Sequence, residues 1–146
     1  MRRIKSLRAL ASIAVGLFVT FSQAHHAAVG LVALAIFTIL YGLRTLFGAP
    51  KYSPIALIAL ITAFISASSL QENSNATFIL LVAIWGAAQA ATDFINRDVI
   101  SAVLASLLAL LFALVPLDIV SAVGFFGAYL IVSGVHLGIA AYSPKK

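Results

Sequence analysis

Polar and charged residues in this chain come in short clusters, and between the clusters lie six long runs that are almost wholly apolar. A helix crossing ~30 Å of hydrocarbon needs about 20 such residues, with a practical minimum of about 17. The runs 9–23, 27–47, 54–70, 76–95, 99–117 and 119–142 meet or approach that length. Short breakers separate them, including Gly48-Ala49-Pro50, Gln71-Glu72-Asn73-Ser74-Asn75 and Asn96-Arg97-Asp98. The alternation of a membrane barrel is absent, and a helix satisfies every backbone amide internally. The pattern therefore predicts an all-α fold, an integral membrane bundle of six helices that forms one domain over 1–146. Pro116 falls at the end of the fifth run, where a missing amide donor costs little.

Composition strengthens this reading. Of 146 residues, 63% are hydrophobic and only 9% are charged. A soluble domain of this size exposes too much surface to hide that much apolar area, so membrane lipid is the expected partner. The net charge of +5 resides at the ends of the apolar runs. No basic stripe or aromatic platform accompanies it, which excludes nucleic acid. The absence of cysteine removes disulfides, thiolate metal sites and thiol chemistry. No Ser-His-Asp order, carboxylate pair, Walker loop, dinucleotide fingerprint or metal-ligand spacing occurs among the four acidic residues and their neighbours. The chain is expected to be no enzyme, and neither a cofactor nor a metal is implied.

Charge placement gives an orientation. With the N-terminus inside, Arg2, Arg3, Lys5, Arg8, Arg44, Lys51, Arg97, Lys145 and Lys146 all fall on the cytoplasmic side. Glu72 and Asp118 fall outside, with no Lys or Arg beside them. Short loops rich in Lys and Arg stay cytoplasmic, so both termini are expected there. A rival reading takes the first 24 residues as a cleavable signal peptide cut after Ala24. The internal repeat needs the first helix and favours its retention.

That repeat has a period of roughly 45 residues. Ala11-Ser-Ile-Ala14, Ala56-Leu-Ile-Ala59 and Ala102-Val-Leu-Ala105 align in the odd helices. Tyr41-Gly42-Leu43-Arg44, Ala90-Ala91-Thr92-Asp93 and Ser133-Gly134-Val135-His136 align in the even ones. Each unit reads as a helical hairpin, and three such hairpins run parallel about an axis along the membrane normal. Helices in lipid associate through small side chains that admit close backbone approach. Gly30, Gly42, Gly86, Ala90, Gly124, Gly127, Gly134 and Gly138 suit that role, with Ala11, Ala14, Ala56 and Ala59.

Arg44, Asp93 and His136 occupy one repeat-equivalent position, and a pseudo-threefold axis would bring them together near the cytoplasmic helix ends. Ionisable groups at membrane depth face a partner or a water-filled cavity. A polar gate or proton-linked site is the functional reading; headgroup contact at the interface is the plain one. Gln89 joins this candidate polar site as a polar residue inside the fourth helix, able to hydrogen-bond across helices. Trp85, near the middle of that helix, is expected to pack against a neighbour. His25 and His26, in the first outer loop, are candidate acid sensors or a weak metal site, against the plain reading of a polar loop. Asn75-Ala76-Thr77 has the form of a glycosylation sequon but abuts the membrane and is read as accidental.

The last helix, Gly124-Phe-Phe-Gly127-Ala-Tyr-Leu-Ile-Val-Ser-Gly134-Val-His-Leu-Gly138-Ile, resembles the repeat of the HdeD-like acid-resistance membrane proteins. That family consists of small six-helix bacterial proteins built from two-helix repeats with a G-x-y-l-i-x-x-G-i pattern. The resemblance covers 114–139 best, then 27–47, and is weakest over 77–95, where Ala91 replaces the expected glycine. It implies a multi-pass protein of the bacterial inner membrane, linked to acid or envelope stress, with no catalytic residues to carry over. Two other functions are left open. One is a small transporter or channel using the polar site. The other is a structural or assembly subunit, with a second copy of the chain or another membrane protein as partner.

Overall fold

The computed structural model describes residues 2–48 and 54–143, with side chains for 6–47 and 54–143. The side chains of Arg2, Arg3, Lys5, Lys51, Lys145 and Lys146 lie outside the described residues. Within these bounds the chain is all α, without strands, and forms six helices. They are α1 (Arg2–Phe21), α2 (Ala27–Gly48), α3 (Pro54–Ser68), α4 (Asn75–Ile95), α5 (Val99–Leu114) and α6 (Ile119–Tyr142).

Local chemistry explains where they start and stop. The basic residues before the first apolar run are good helix formers, so α1 begins at Arg2 rather than near residue 9. Pro54 opens α3, where its missing amide hydrogen has no helical role. The Ser74 hydroxyl accepts from the Thr77 amide at 3.3 Å and caps α4. Asp98 accepts from the Ser101 amide at 3.4 Å and caps α5, and Asp118 accepts from the Ser121 amide at 3.1 Å and caps α6. The Ser121 hydroxyl adds a 2.6 Å bond to Asp118. These bonds, the hydroxyl's first, hold the Asp118 carboxyl below the usual carboxylate range. α5 ends at Leu114, three residues before the expected 117, with Val115 extended. Pro116 causes this by disfavouring helical backbone at the residue before it.

These endpoints divide the helices into long and short. α2, α4 and α6 are long and apolar enough to cross a membrane. α3, with 15 residues, and α5, with 16, are only about 22–24 Å long. In α1 the apolar stretch is Ser6–Phe21. The six expected spans thus divide into three long helices alternating with three shorter apolar ones.

Consecutive helices touch, α6 returns to α1, and α2, α4 and α6 meet one another. The most extensive packing joins α1 to α6, α2 to α3 and α4 to α5. Glycines make these three crossings close. A Cβ on Gly134 would lie 3.0 Å from the Ala9 carbonyl, and one on Gly16 2.9 Å from the Gly127 carbonyl. The same construction puts Gly42 at 3.2 Å from the Ala56 carbonyl and Gly86 at 3.2 Å from the Ala105 carbonyl.

The face that α1 packs with differs from the one its alanines suggest. Ala9, Ser12 and Gly16 meet α6, whereas Ala11 is half-buried and Ala14 exposed. The glycines of α6 accept backbone on that side only, and this sets the rotation of α1. Gly124 has nothing within 4 Å, and Gly138 has only the Ala9 Cβ at 3.8 Å, so neither makes a close approach.

Interior and exterior are both apolar. Phe78 meets Phe126 and Phe112 edge-on at 5.8 and 6.2 Å. Outside, Leu10, Phe64, Leu80, Leu107 and Val132 are exposed. Several hydroxyls inside the helices turn to their own backbone, as Thr38 donates to the Leu34 carbonyl at 2.7 Å and Thr20 to that of Gly16 at 2.8 Å. This is how an apolar helix satisfies a hydroxyl without water. Among the described residues, the hydroxyls of Ser12, Ser66 and Ser101 are instead buried without a partner.

Gly134→Val should force α6 away from Ala9 and cost about 1–3 kcal/mol, as overpacked interiors do. Gly124→Ala should be neutral or slightly stabilising. Thermal unfolding of both variants in detergent checks this, and equal losses would show that the Gly134 contact is not a close one.

Candidate functional site

The inward face of α4 presents Trp85, Gln89 and Asp93 at four-residue steps, running from the middle of the bundle toward one end. Gln89 is 1% exposed and Asp93 5%. The Gln89 amide donates to Asp93 Oδ2 at 2.7 Å, within its own helix rather than across helices. Asp93 lies in the last turn of α4, where the helix dipole disfavours a carboxylate. A cation is therefore needed, and α1 supplies one.

Arg8 Nη2 stands 3.8 Å from Asp93 Oδ2. Its guanidinium carbon lies 4.7 Å from the centre of the Tyr41 ring on α2. Tyr41 in turn meets Trp85 edge-on at 5.1 Å, and Phe37 meets the indole at 6.0 Å. Trp85 thus packs against α2, as its position in the sequence suggests. Tyr129 on α6 lies within electrostatic reach of Arg8, Asp93 and Tyr41. Four helices converge on one ion pair, its carboxylate buried and its guanidinium partly exposed, with an amide on one side and aromatic rings beneath. Among the described residues, Arg8 Nε, Gln89 Oε1 and Trp85 Nε1 are buried without a hydrogen-bond partner.

The expected meeting of Arg44, Asp93 and His136 is not what the side chains do. Among the described residues, the guanidinium beside Asp93 is that of Arg8. His136 Nε2 lies 3.6 Å from Asp98 Oδ1 in the α4–α5 turn, both side chains being partly exposed. The Asp98 amide also donates to the Asp93 carbonyl at 2.9 Å, joining that turn to the end of α4. Arg97 takes a left-handed φ of 59° there and reverses the chain. Arg44 lines a groove between α1 and α2, and among the described residues no carboxylate comes within ion-pair distance of it. The close α1–α6 and α2–α3 crossings decide this outcome, because they fix the rotation of α1 and α2.

His25 and His26 sit in the α1–α2 loop, His25 half-buried and His26 exposed. The His26 carbonyl accepts from the Val29 and Gly30 amides at the start of α2. Asn73, left-handed at φ 46°, accepts from the Ala28 amide at 2.8 Å and ties the α3–α4 turn to the same end. No group of three His, Asp or Glu residues collects among the described residues, so the two histidines gain no metal-binding partners.

Arg8, Tyr41, Tyr129 and Asp98 are residues of these contacts that sequence reasoning missed. Arg8 was grouped with the other N-terminal cations by the charge rule. Its neighbours hold a usable signal, since Leu7, Ala9 and Leu10 set it at the very edge of the apolar run, beyond Arg2, Arg3 and Lys5. No protein family, curated protein or solved structure matches this chain.

Removing Arg8 strands the buried Asp93 carboxylate, whereas removing Asp93 leaves a guanidinium that is partly exposed. Arg8→Leu should cost about 3 kcal/mol and Asp93→Leu less, while the double variant should cost clearly less than the sum. A double-mutant cycle from unfolding in detergent measures the coupling, and strict additivity would mean that the two residues do not interact.

Proposed function

We propose that this chain is a non-enzymatic multi-pass protein of the bacterial inner membrane, of the HdeD-like type. Its role is tolerance of acid or envelope stress, with both termini cytoplasmic. The membrane part of the reading rests on the inverted distribution of polarity. Large apolar side chains cover the outside of the bundle while Asp93 and Gln89 are buried within it. Soluble monomers rarely expose apolar patches beyond a few hundred Å². The two shortest helices remain compatible with a bilayer that thins locally or with flanking side chains that reach for the headgroups.

The packing order supports three parallel hairpins. The extensive pairs are α2 with α3, α4 with α5 and α6 with α1, each linking the end of one hairpin to the start of the next. Gly42 on the Ala56 carbonyl corresponds to Gly134 on the Ala9 carbonyl. This contact register equates Ala9, rather than Ala11, with Ala56.

The observation that carries the stress reading is His136 facing Asp98 at 3.6 Å. Histidine is the side chain whose charge ordinarily changes within the physiological pH range. Once His136 carries a proton, the contact becomes an ion pair and draws the cytoplasmic end of α6 onto the α4–α5 turn. The Arg8–Asp93 pair holds α1 to α4 at the same end, so a change there reaches most of the bundle.

Low-pH survival of cells deleted for this gene is the test. Wild-type complementation should restore survival; His136→Gln and Asp98→Asn should not, while the His25→Gln/His26→Gln variant should. Full survival with His136→Gln would remove the proposed switch. Orientation has its own test, because the chain contains no cysteine. An impermeant maleimide should label Ser69→Cys in intact spheroplasts and Ser143→Cys only after permeabilisation. Labelling of both from one side would end the six-span topology.

A further inference from the structure

α1 lies along α6 and touches α2 much less extensively, leaving a groove of about 570 Å³ between α1 and α2. Leu10 and Ala14 from α1 and Phe37 and Leu40 from α2 form its apolar walls. Arg8 and Arg44 line it as well. α1 and α2 are antiparallel, so Arg8, near the start of α1, and Arg44, near the end of α2, stand at the same end. The groove is therefore an apolar slot with two guanidiniums at its cytoplasmic mouth. Leu10, Ala14 and Leu40 are exposed, so it opens sideways to the exterior of the bundle.

Among the described residues, the charges lining this mouth do not balance. The chain has four acidic residues. Glu72 and Asp118 belong to turns at the opposite end, Asp93 faces Arg8, and Asp98 faces His136. Arg44 has no carboxylate within ion-pair distance among the described residues, and its Nε is buried without a hydrogen-bond partner. Arg8 Nε is in the same state. A buried guanidinium donor left unpaired is costly, so this mouth favours an anion.

We propose that the α1–α2 groove holds one acyl chain of an anionic phospholipid, with its phosphate against Arg44 and Arg8. The assignment rests on the membrane reading. A lipid of the surrounding leaflet reaches the slot laterally, without leaving the bilayer. A phosphate offers several acceptor oxygens to two forked guanidiniums, which suits arginine better than lysine. Basic pockets between membrane helices on the cytoplasmic side recognise anionic headgroups in this way. The apolar walls accept the chain, and the two cations select the headgroup.

Lipid retained after extraction from bilayers of equimolar phosphatidylglycerol and phosphatidylcholine, measured by native mass spectrometry, tests this. A cation near the membrane surface contributes about fivefold in affinity for anionic lipid, so wild type should retain phosphatidylglycerol at about that enrichment. Arg44→Gln should bring the ratio close to unity, and Arg44→Lys should keep most of it. Ala14→Phe fills the slot without touching either guanidinium and should also abolish the enrichment. No enrichment in wild type, or full enrichment in Arg44→Gln or Ala14→Phe, overturns the proposal. Displacement of the retained lipid by equimolar oleate would overturn it in favour of a free fatty acid. Failure to insert into bilayers would end the membrane reading and this assignment together, whereas insertion without selectivity would end only the assignment.

Discussion

The contact on which the rest of this structure depends is the approach of helix backbones at α1–α6, α2–α3 and α4–α5. Side chains that are apolar on every face of a helix give it no preferred rotation, because inside and outside are equally oily. Glycine breaks that degeneracy. Where Gly134 meets the Ala9 carbonyl, Gly42 that of Ala56 and Gly86 that of Ala105, the neighbouring backbone fits on one side only. Each helix is thereby turned to a fixed angle, and every polar side chain it carries is aimed by that choice.

The buried polar groups follow from these rotations. With α1 turned so that Ala9 and Gly16 face α6, Arg8 points at Asp93 and lies over the Tyr41 ring. The pair compensates a carboxylate at the unfavourable end of a helix dipole, and Gln89 satisfies part of its remaining hydrogen-bonding capacity. Taking a carboxylate out of water is expensive, and a pair of this kind often adds little net stability. Its value lies in orientation, since a rotation that carries Arg8 away leaves the Asp93 carboxylate stranded in an apolar interior.

The same rotation exposes Ala11 and Ala14 to the α1–α2 groove and leaves Arg44 beside it. The proposed lipid site and the proposed pH-responsive contact are thus two consequences of one packing arrangement. They use different residues. Arg44 faces the groove on one side, while His136 and Asp98 link α6 to the α4–α5 turn on another.

Much of the architecture is legible in the residues alone. Apolar runs separated by polar breakers mark six helices, because a helix in an apolar setting must satisfy its own amides and a polar cluster must leave that setting. Caps at Ser74, Asp98 and Asp118 and the stop before Pro116 are local effects that neighbouring residues decide. The site was less legible. Asp93 and Gln89 stand out as polar residues inside an apolar helix, but Arg8 looks like one more N-terminal cation. Repeat alignment joined Arg44 to Asp93 because it reports sequence position and carries no information on helix rotation. Sequence by itself determined the helices, their order and the placement of charge at their ends, since these depend on spacing along the chain. The tertiary structure alone decided which faces meet and which cation reaches Asp93, because a uniformly apolar helix takes its rotation from the backbone it packs against.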